Sequence, residues 1–225
     1  MLILALDAST PVTTVALAQA DENERQILAE VTTAARGASE ALLPAVHAVL
    51  ELAGEDLASV ERILVGVGPG TFTGIRIAAA TTRSLALGTG ADLCTVSTLD
   101  ALAAPALRAG FSEVLAVIDA RRKQIFVRAF SNEASIGEIL CLRPEDLPTG
   151  VADAVLVGDG AIHYRETLAH IGRIPPDDSP LHRVTAAGLV MSADLSPVDA
   201  EEVVPIYVRE PDAEVRRDLN PWSQG

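Results

Sequence analysis

Aromatic residues make up only 3% of this 225-residue chain. A core so poor in rings must be assembled from Ala, Val, Leu and Ile, within an overall hydrophobic content of 49%. Alanine-rich helices can approach one another closely, so helix-on-helix packing is expected. Cysteine is almost missing. Cys94 and Cys141 are far apart and flanked by apolar residues, which reads as core thiols in a reducing compartment and not as a disulfide or metal pair. There is no run of 18 apolar residues and no basic segment leading into an apolar one, so a soluble, cytoplasmic protein with no membrane partner is expected. Positive charge is scarce as well: 17 basic against 31 acidic residues leave a net charge of −14. Such a chain repels phosphate backbones, so if it serves an RNA process something else must hold the RNA.

Familiar catalytic signatures are also lacking. His47, His163, His170 and His182 are scattered, with no H-E-x-x-H and no histidine pair on one helix face, which excludes a zinc motif of that kind. G-x-S-x-G is absent, so a hydrolytic triad would have to be assembled in space. The glycine-rich segment offers Thr73-Gly74-Ile75 where a P-loop needs Gly-Lys-Ser/Thr. Asp92 stands at the start of the next strand, the wrong end for a dinucleotide fingerprint.

What is present is organised around residues 63–88, ILVGVGPGTFTGIRIAAATTRSLALG. It reads as a strand over 63–67, a tight loop and a helix. Gly66, Gly68, Gly70 and Gly74 allow close backbone approach, Pro69 fixes one turn position, Thr73 is the expected N-cap and Gly88 the expected helix stop. The helix N-terminus suits an anion; a structural turn packing the helix tightly on a sheet is the alternative. Arg76 falls in the first helical turn, where the dipole disfavours a cation. A neighbouring phosphate or carboxylate would offset that, or an exposed arginine would bear a cost of a few tenths of a kcal/mol.

The chain opens with an apolar run over 1–6 ending in Asp7, a small turn and a second strand over 12–18, followed by a polar turn at 21–24 and a third strand over 25–33. Ser39 is the expected cap of a helix over 40–53, in which Leu42, Val46 and Val49 recur at helical spacing, Pro44 forfeits one hydrogen bond and Gly54 marks the end. A strand over 93–96 and a helix over 98–108, capped by Ser97 or Thr98, come after the glycine unit. A strand over 113–118 then ends in Asp119, and 124–130 returns, so that LALDASTPVTTVALA and LAVIDARRKQIFVRAF share one form. Short strands at 139–142 and 155–157, a second glycine turn at Gly158-Asp159-Gly160, a proline-rich loop over 173–181, a helix over 185–194 and an extended segment over 203–209 complete the pass. The polar end from Pro211 is expected to fray. Three antiparallel strands followed by alternating helices and strands imply a ribonuclease-H-like α/β layout. The boundary between an N-terminal domain, 1–106, and a more divergent C-terminal one, 107–225, is placed near Ala106.

Five segments in order, LALDAST, GVGPGTFTGIRIAAATTRSLALG, VSTLDALA, IDARRKQIF and PIYVR, resemble the TsaB (YeaZ) family. The resemblance implies an α/β fold of two ribonuclease-H-like domains in the actin-like, sugar-kinase-like ATPase superfamily. It implies a non-catalytic subunit in the formation of threonylcarbamoyladenosine in tRNAs that read ANN codons. The metal-bearing paralogue TsaD transfers the threonylcarbamoyl group, pairs through the first two helices (here 39–53 and 73–87), and is joined by the ATPase TsaE. The interface carried over comprises Leu42, Val46 and Val49 on the first helix and Ile77, Ala80, Thr81 and Ser84 on the second, with ordinary core packing as the alternative for each. Asp7, Gly68, Gly70, Thr71, Thr73, Gly74 and Arg76 are expected to help enclose ATP or ADP at the joint with TsaD, with no cofactor, metal or catalytic residue in the chain alone. The isolated chain is expected to form a homodimer through the same helices and to meet tRNA only through the complex. One departure is Ala38 in GASEALLP, where many relatives carry histidine. The alternatives are an autonomous ATPase or kinase, in which Asp7 and Asp119 stand where superfamily members hold metal-bound phosphate, and a peptidase acting on TsaD. For Asp7 the simpler reading is a hairpin-tip carboxylate capping its own backbone amides.

Overall fold

The computed structural model describes residues 1–21, 24–34, 37–132, 134–148 and 154–208. The turn expected at 21–24 lies partly outside them, as does the end of the segment over 203–209, and the polar end from Pro211 lies wholly outside.

Strand β1 (Leu2–Asp7) is buried along its whole length, as an unbroken apolar run in a covered sheet must be. It pairs antiparallel with β2 (Thr13–Ala20), which pairs antiparallel with β3 (Arg25–Thr33). β3 alternates half-buried and exposed residues because it forms the sheet edge. Helix α1 (Ala38–Ala53) crosses to β4 (Arg62–Gly66), parallel to β1, and α2 (Phe72–Thr89) crosses to β5 (Asp92–Val96), parallel to β4. The strand order is β3-β2-β1-β4-β5. Helix α3 (Thr98–Arg108) then leads to a second sheet of β6 (Glu113–Arg121), β7 (Gln124–Ser131), β8 (Ala134–Leu142) and β9 (Val155–Val157). Its order is β8-β7-β6-β9, with β9 parallel to β6. Each half therefore lays down three antiparallel strands and adds a fourth parallel to its first, and the echo heard in the sequence is a repeated topology. Three short helices follow: α4 (Asp159–His163), α5 (Arg165–Leu168) and α6 (Ala186–Ser192).

Alternation along β1 and β4 divides the core. Leu2, Leu4, Leu6, Ile63 and Val65 face one way, against Leu42, Val46 and Val49 of α1 and Ala78 and Ala79 of α2. Ile3, Ala5 and Leu64 face the other, where Leu99, Leu102 and Ala106 of α3 meet Leu189 and Val190 of α6. The same cluster takes in Val114, Ala116 and Ile118 of β6: α6 packs on the first sheet, α3 on the second, and the two helices on each other between them. Four residues of α3 there, Ala101, Ala103, Ala104 and Ala106, are alanines, small enough for α6 to lie close against the helix. The far face of the second sheet packs Leu115 and Val117 on Ala161 and Leu168.

Several boundaries differ from expectation. Helix α2 starts at Phe72 behind Thr71, not behind Thr73, because Thr71 N–H is already held by Ser9 O at 2.6 Å and the chain turns helical from there. It stops at Gly90, whose φ is 77°, and Gly88 lies in its last turn. Helix α1 begins at Ala38 behind Gly37, so Ser39 is inside the helix and caps nothing; Gly54, with φ 70°, ends it as expected. Ser97 caps α3 through Leu99 N–H at 3.2 Å. β8 is longer than the expected 139–142, since β7 offers partners as far as Ser131. α6 is shorter than 185–194: Thr185 caps it by accepting from Gly188 N–H at 3.0 Å, and it closes at Ser192.

Candidate functional site

The C-terminal end of β1, the turn after it and the glycine loop after β4 meet at one point. Asp7 is fully buried there. Its Oδ1 accepts from Ser9 N–H at 2.8 Å and Ser9 Oγ at 2.7 Å, and its Oδ2 accepts from Thr98 Oγ1 at 3.1 Å. Thr98 Oγ1 in turn accepts from Gly68 N–H at 3.1 Å, while Thr98 N–H donates to Gly68 O at 2.8 Å. Burial pushes the Asp7 carboxyl above its ordinary value, and the hydrogen bonds from Ser9 and Thr98 oppose that.

The glycines explain how the loop sits. A Cβ at Gly66 would lie 1.9 Å from Asp7 Oδ2, one at Gly70 2.2 Å from Ser9 O, and one at Gly74 1.8 Å from Ala8 O. The loop is therefore pressed backbone to backbone onto the turn after β1. Gly68 alone of these four has a left-handed φ, 97°. The structure thus brings together Asp7, Gly68, Gly70, Thr71 and Gly74. Thr73 is exposed in the first turn of α2. Arg76 has its own answer to the helix dipole: its guanidinium lies 3.5 Å from the Phe72 ring centroid and its Nε donates to Tyr207 Oη at 2.8 Å. Tyr207 arrives on the extended segment 203–208, which is pinned by Ile206 N–H to Val67 O at 2.8 Å and by Arg83 Nη2 to Val203 O at 2.6 Å.

Sequence reading missed Ser9, Thr98 and the Phe72–Arg76–Tyr207 cluster. The first two carry a signal only in retrospect, as a Ser and a Thr in short polar turns. Tyr207 is 131 residues from Arg76, and no local pattern joins them.

The second half repeats the arrangement with different residues. Asp119 Oδ1 accepts from Arg121 N–H at 2.9 Å, and Asp159 Oδ1 accepts from Asp119 N–H at 3.0 Å. Burial raises the Asp159 carboxyl, against the hydrogen bond from Asp119. His182 is buried beside it, its Nδ1 accepting from Gly158 N–H at 3.1 Å and its Nε2 3.2 Å from Pro175 O. Between the two halves a cavity of about 200 Å³ is lined by Thr10, Pro11, Ile118, Asp159 and His182 among others. Among the described residues no group of three His, Cys, Asp or Glu is placed to hold a metal. Burial lifts the Cys94 thiol to about 11, which makes it an unreactive core group. No described helix is long and apolar enough to cross a membrane.

The outer surface of α1 and α2 differs from the expected interface. Leu42, Val46 and Val49 are 1%, 4% and 0% exposed because they cover β1 and β4, so they are core residues, with Val46 also bordering a groove beside α1. Leu43 and His47 are exposed on one flank of the buried stripe of α1 and Leu52 on the other. On α2, Ala80 and Ser84 are exposed and Ile77 and Thr81 half-buried, with Leu87 beyond them at 90% exposure. A shallow groove of about 520 Å³ lined by Leu43, His47, Leu50, Leu57 and Leu85 runs beside α1.

Two ribonuclease-H-like sheets of one topology, joined through shared helices, define a two-part α/β protein. The activator of 2-hydroxyisocaproyl-CoA dehydratase from Clostridium difficile, at 11% identity, superimposes over 90% of this chain and 96% of its own with a TM-score of 0.52, which shows the fold alone. A family model described as "TsaD: tRNA N6-adenosine threonylcarbamoyltransferase" matches residues 26–147, more than half of the chain. An uncharacterised protein of Mycobacterium tuberculosis is 30% identical over 94% of this chain and 93% of its own length. The tRNA threonylcarbamoyladenosine biosynthesis protein TsaB of Escherichia coli is 36% identical over 56% of this chain and 53% of its own. YeaZ from Pseudomonas aeruginosa, 28% identical, superimposes over 92% of this chain and 99% of its own with a TM-score of 0.75. The chain belongs to the TsaB (YeaZ) family.

Proposed function

We propose that this protein is a non-catalytic partner subunit in the biosynthesis of threonylcarbamoyladenosine in tRNAs that read ANN codons. It docks the outer side of α1 and α2 on a TsaD-type transferase, with TsaE joining the pair, in the cytoplasm. The observation that carries this reading is the contrast between its two surfaces. The turn where superfamily members hold phosphate is occupied by the chain's own glycine loop, and Asp7 there is buried under three hydrogen bonds. The groove beside α1, by contrast, is lined by Leu43, Val46, Leu50, Leu57 and Leu85, with Leu43 55% exposed. Apolar side chains gathered along one groove mark an interaction surface. In isolation the same face is expected to pair two copies of the chain.

The reading of an autonomous ATPase or kinase is less well supported. A carboxylate that positions a metal-bound phosphate must be reachable, and Asp7 is not. The cavity between the halves, about 200 Å³, falls below the roughly 300–1,000 Å³ of small-molecule sites. ATP or ADP would therefore be held at the joint with the transferase, with Thr73 and the start of α2 contributing. Co-elution of the purified chain with its organism's TsaD, followed by a tRNA modification assay with and without the chain, tests the proposal. Modification that requires both proteins is expected. Full activity of TsaD without this chain would refute it, as would ATP turnover by this chain alone.

A further inference from the structure

The sequence has one lysine and one run of three consecutive cations, and they coincide at Arg121-Arg122-Lys123. These residues form the β6–β7 turn: Arg121 pairs with Gln124, leaving a two-residue connection. All three are exposed and all three have left-handed backbone, with φ of 61°, 53° and 61°. A turn of this hand ordinarily uses Asn-Gly or Asp-Gly, which reach positive φ at little cost. Long side chains disfavour it. A disfavoured conformation kept where a cheaper sequence exists points to a function for the side chains.

The support beneath the turn is acidic and fixed. Asp119 Oδ1 accepts from Arg121 N–H at 2.9 Å, Asp119 Oδ2 pairs with Arg121 Nη1 at 3.1 Å, and Asp159 anchors Asp119 from below. Arg121 is thereby tied to the base of the turn, and Arg122 and Lys123 are the two exposed residues of its tip.

We infer that this tip is a phosphate-contacting element for the RNA backbone, through which the subunit touches tRNA once the transferase complex has formed. The inference rests on the tRNA reading above. A surface of net charge −14 repels RNA as a whole, so any contact must be confined to a point where the local charge is reversed. A polypeptide partner would want an apolar anchor; the tip offers only charged and polar side chains, which is sufficient for phosphates and for little else.

The test compares the wild type with Arg122→Ala/Lys123→Ala, each in complex with the transferase. Binding of an unmodified tRNA transcript is followed by fluorescence anisotropy across a salt series. The variant complex should form undiminished, bind the transcript about tenfold more weakly and show a log–log salt slope smaller by about two. A second variant, Arg122→Asn/Lys123→Gly, supplies the turn's preferred residues. It should melt higher than the wild type and lose the same RNA affinity, which separates folding from recognition. An intact complex with unchanged affinity and slope overturns this inference alone. Failure of the wild type to join the transferase overturns it together with the proposed function. Weakened binding to poly-glutamate with tRNA binding unchanged would make the partner an acidic polypeptide, and would overturn it as well.

Discussion

Adding one carbon at Gly66 or Gly74 sets a methyl group within 2 Å of Asp7 Oδ2 or Ala8 O. The nearest obstacle is a buried carboxylate in one case and backbone in the other, so neither can step aside. Gly66→Ala and Gly74→Ala are each expected to cost about 3 kcal/mol or more in urea denaturation. Gly88 is the control: it is helical with nothing within 4 Å, so Gly88→Ala should gain about 0.5–1 kcal/mol. Asp7 makes a pH prediction. Its folded carboxyl titrates above the ordinary 3.8, so the native state holds that proton more tightly than the unfolded chain does. Its contribution to stability is complete below 3.8 and declines as pH rises toward the folded value. Asp7→Asn removes that slope, and its urea midpoint relative to the wild type should rise as the pH is raised above 3.8. At this scale the glycine loop could be read as special from spacing alone. That Gly70 and Gly74 press on Ser9 and Ala8 was not legible, because the turn after β1 is distant in sequence.

Helices α1 and α2 each have one face on the sheet and one in solvent, and substitutions should separate them. Ala80→Arg and Ser84→Arg fall on exposed positions and should leave stability within about 0.5 kcal/mol. They are expected to weaken pairing with the transferase by at least about tenfold in size-exclusion titration, because a long cation must be desolvated in a close seam. Leu42→Arg should instead unfold the protein, since its side chain is 1% exposed. Helical spacing correctly found the apolar stripe of α1 but could not say that a sheet, not a partner, covers it. Period 3.6 reports that a face is covered and is silent on by what. The α2 stripe differs: Ala80 and Ser84 are exposed, while Ile77 and Thr81 are half-buried.

The two halves share one interior. Leu189 of α6 is fully buried on the first sheet although it belongs to the second half of the chain. Leu189→Ala should therefore cost about 2–5 kcal/mol and lower the melting of both halves in a single transition by circular dichroism and near-ultraviolet signals alike. A chain ended at Gly110 would leave Ile3, Ala5 and Leu64 uncovered by α6. It is expected to bind hydrophobic dyes and to melt without cooperativity.

Local chemistry alone determined most of the elements: the buried run of β1, the Ser97 cap of α3, the Gly54 stop and the doubled hairpin-then-crossover order. These depend on side-chain period, turn residues and capping, which act within a few positions of one another. Tertiary structure alone decided which sheet face each helix covers, that the loop after β4 closes on the turn after β1, that Tyr207 reaches Arg76, and that α6 crosses back to the first half. Each is a contact between segments far apart in the chain, selected by the burial it permits, and burial has no signature until the whole core is assembled.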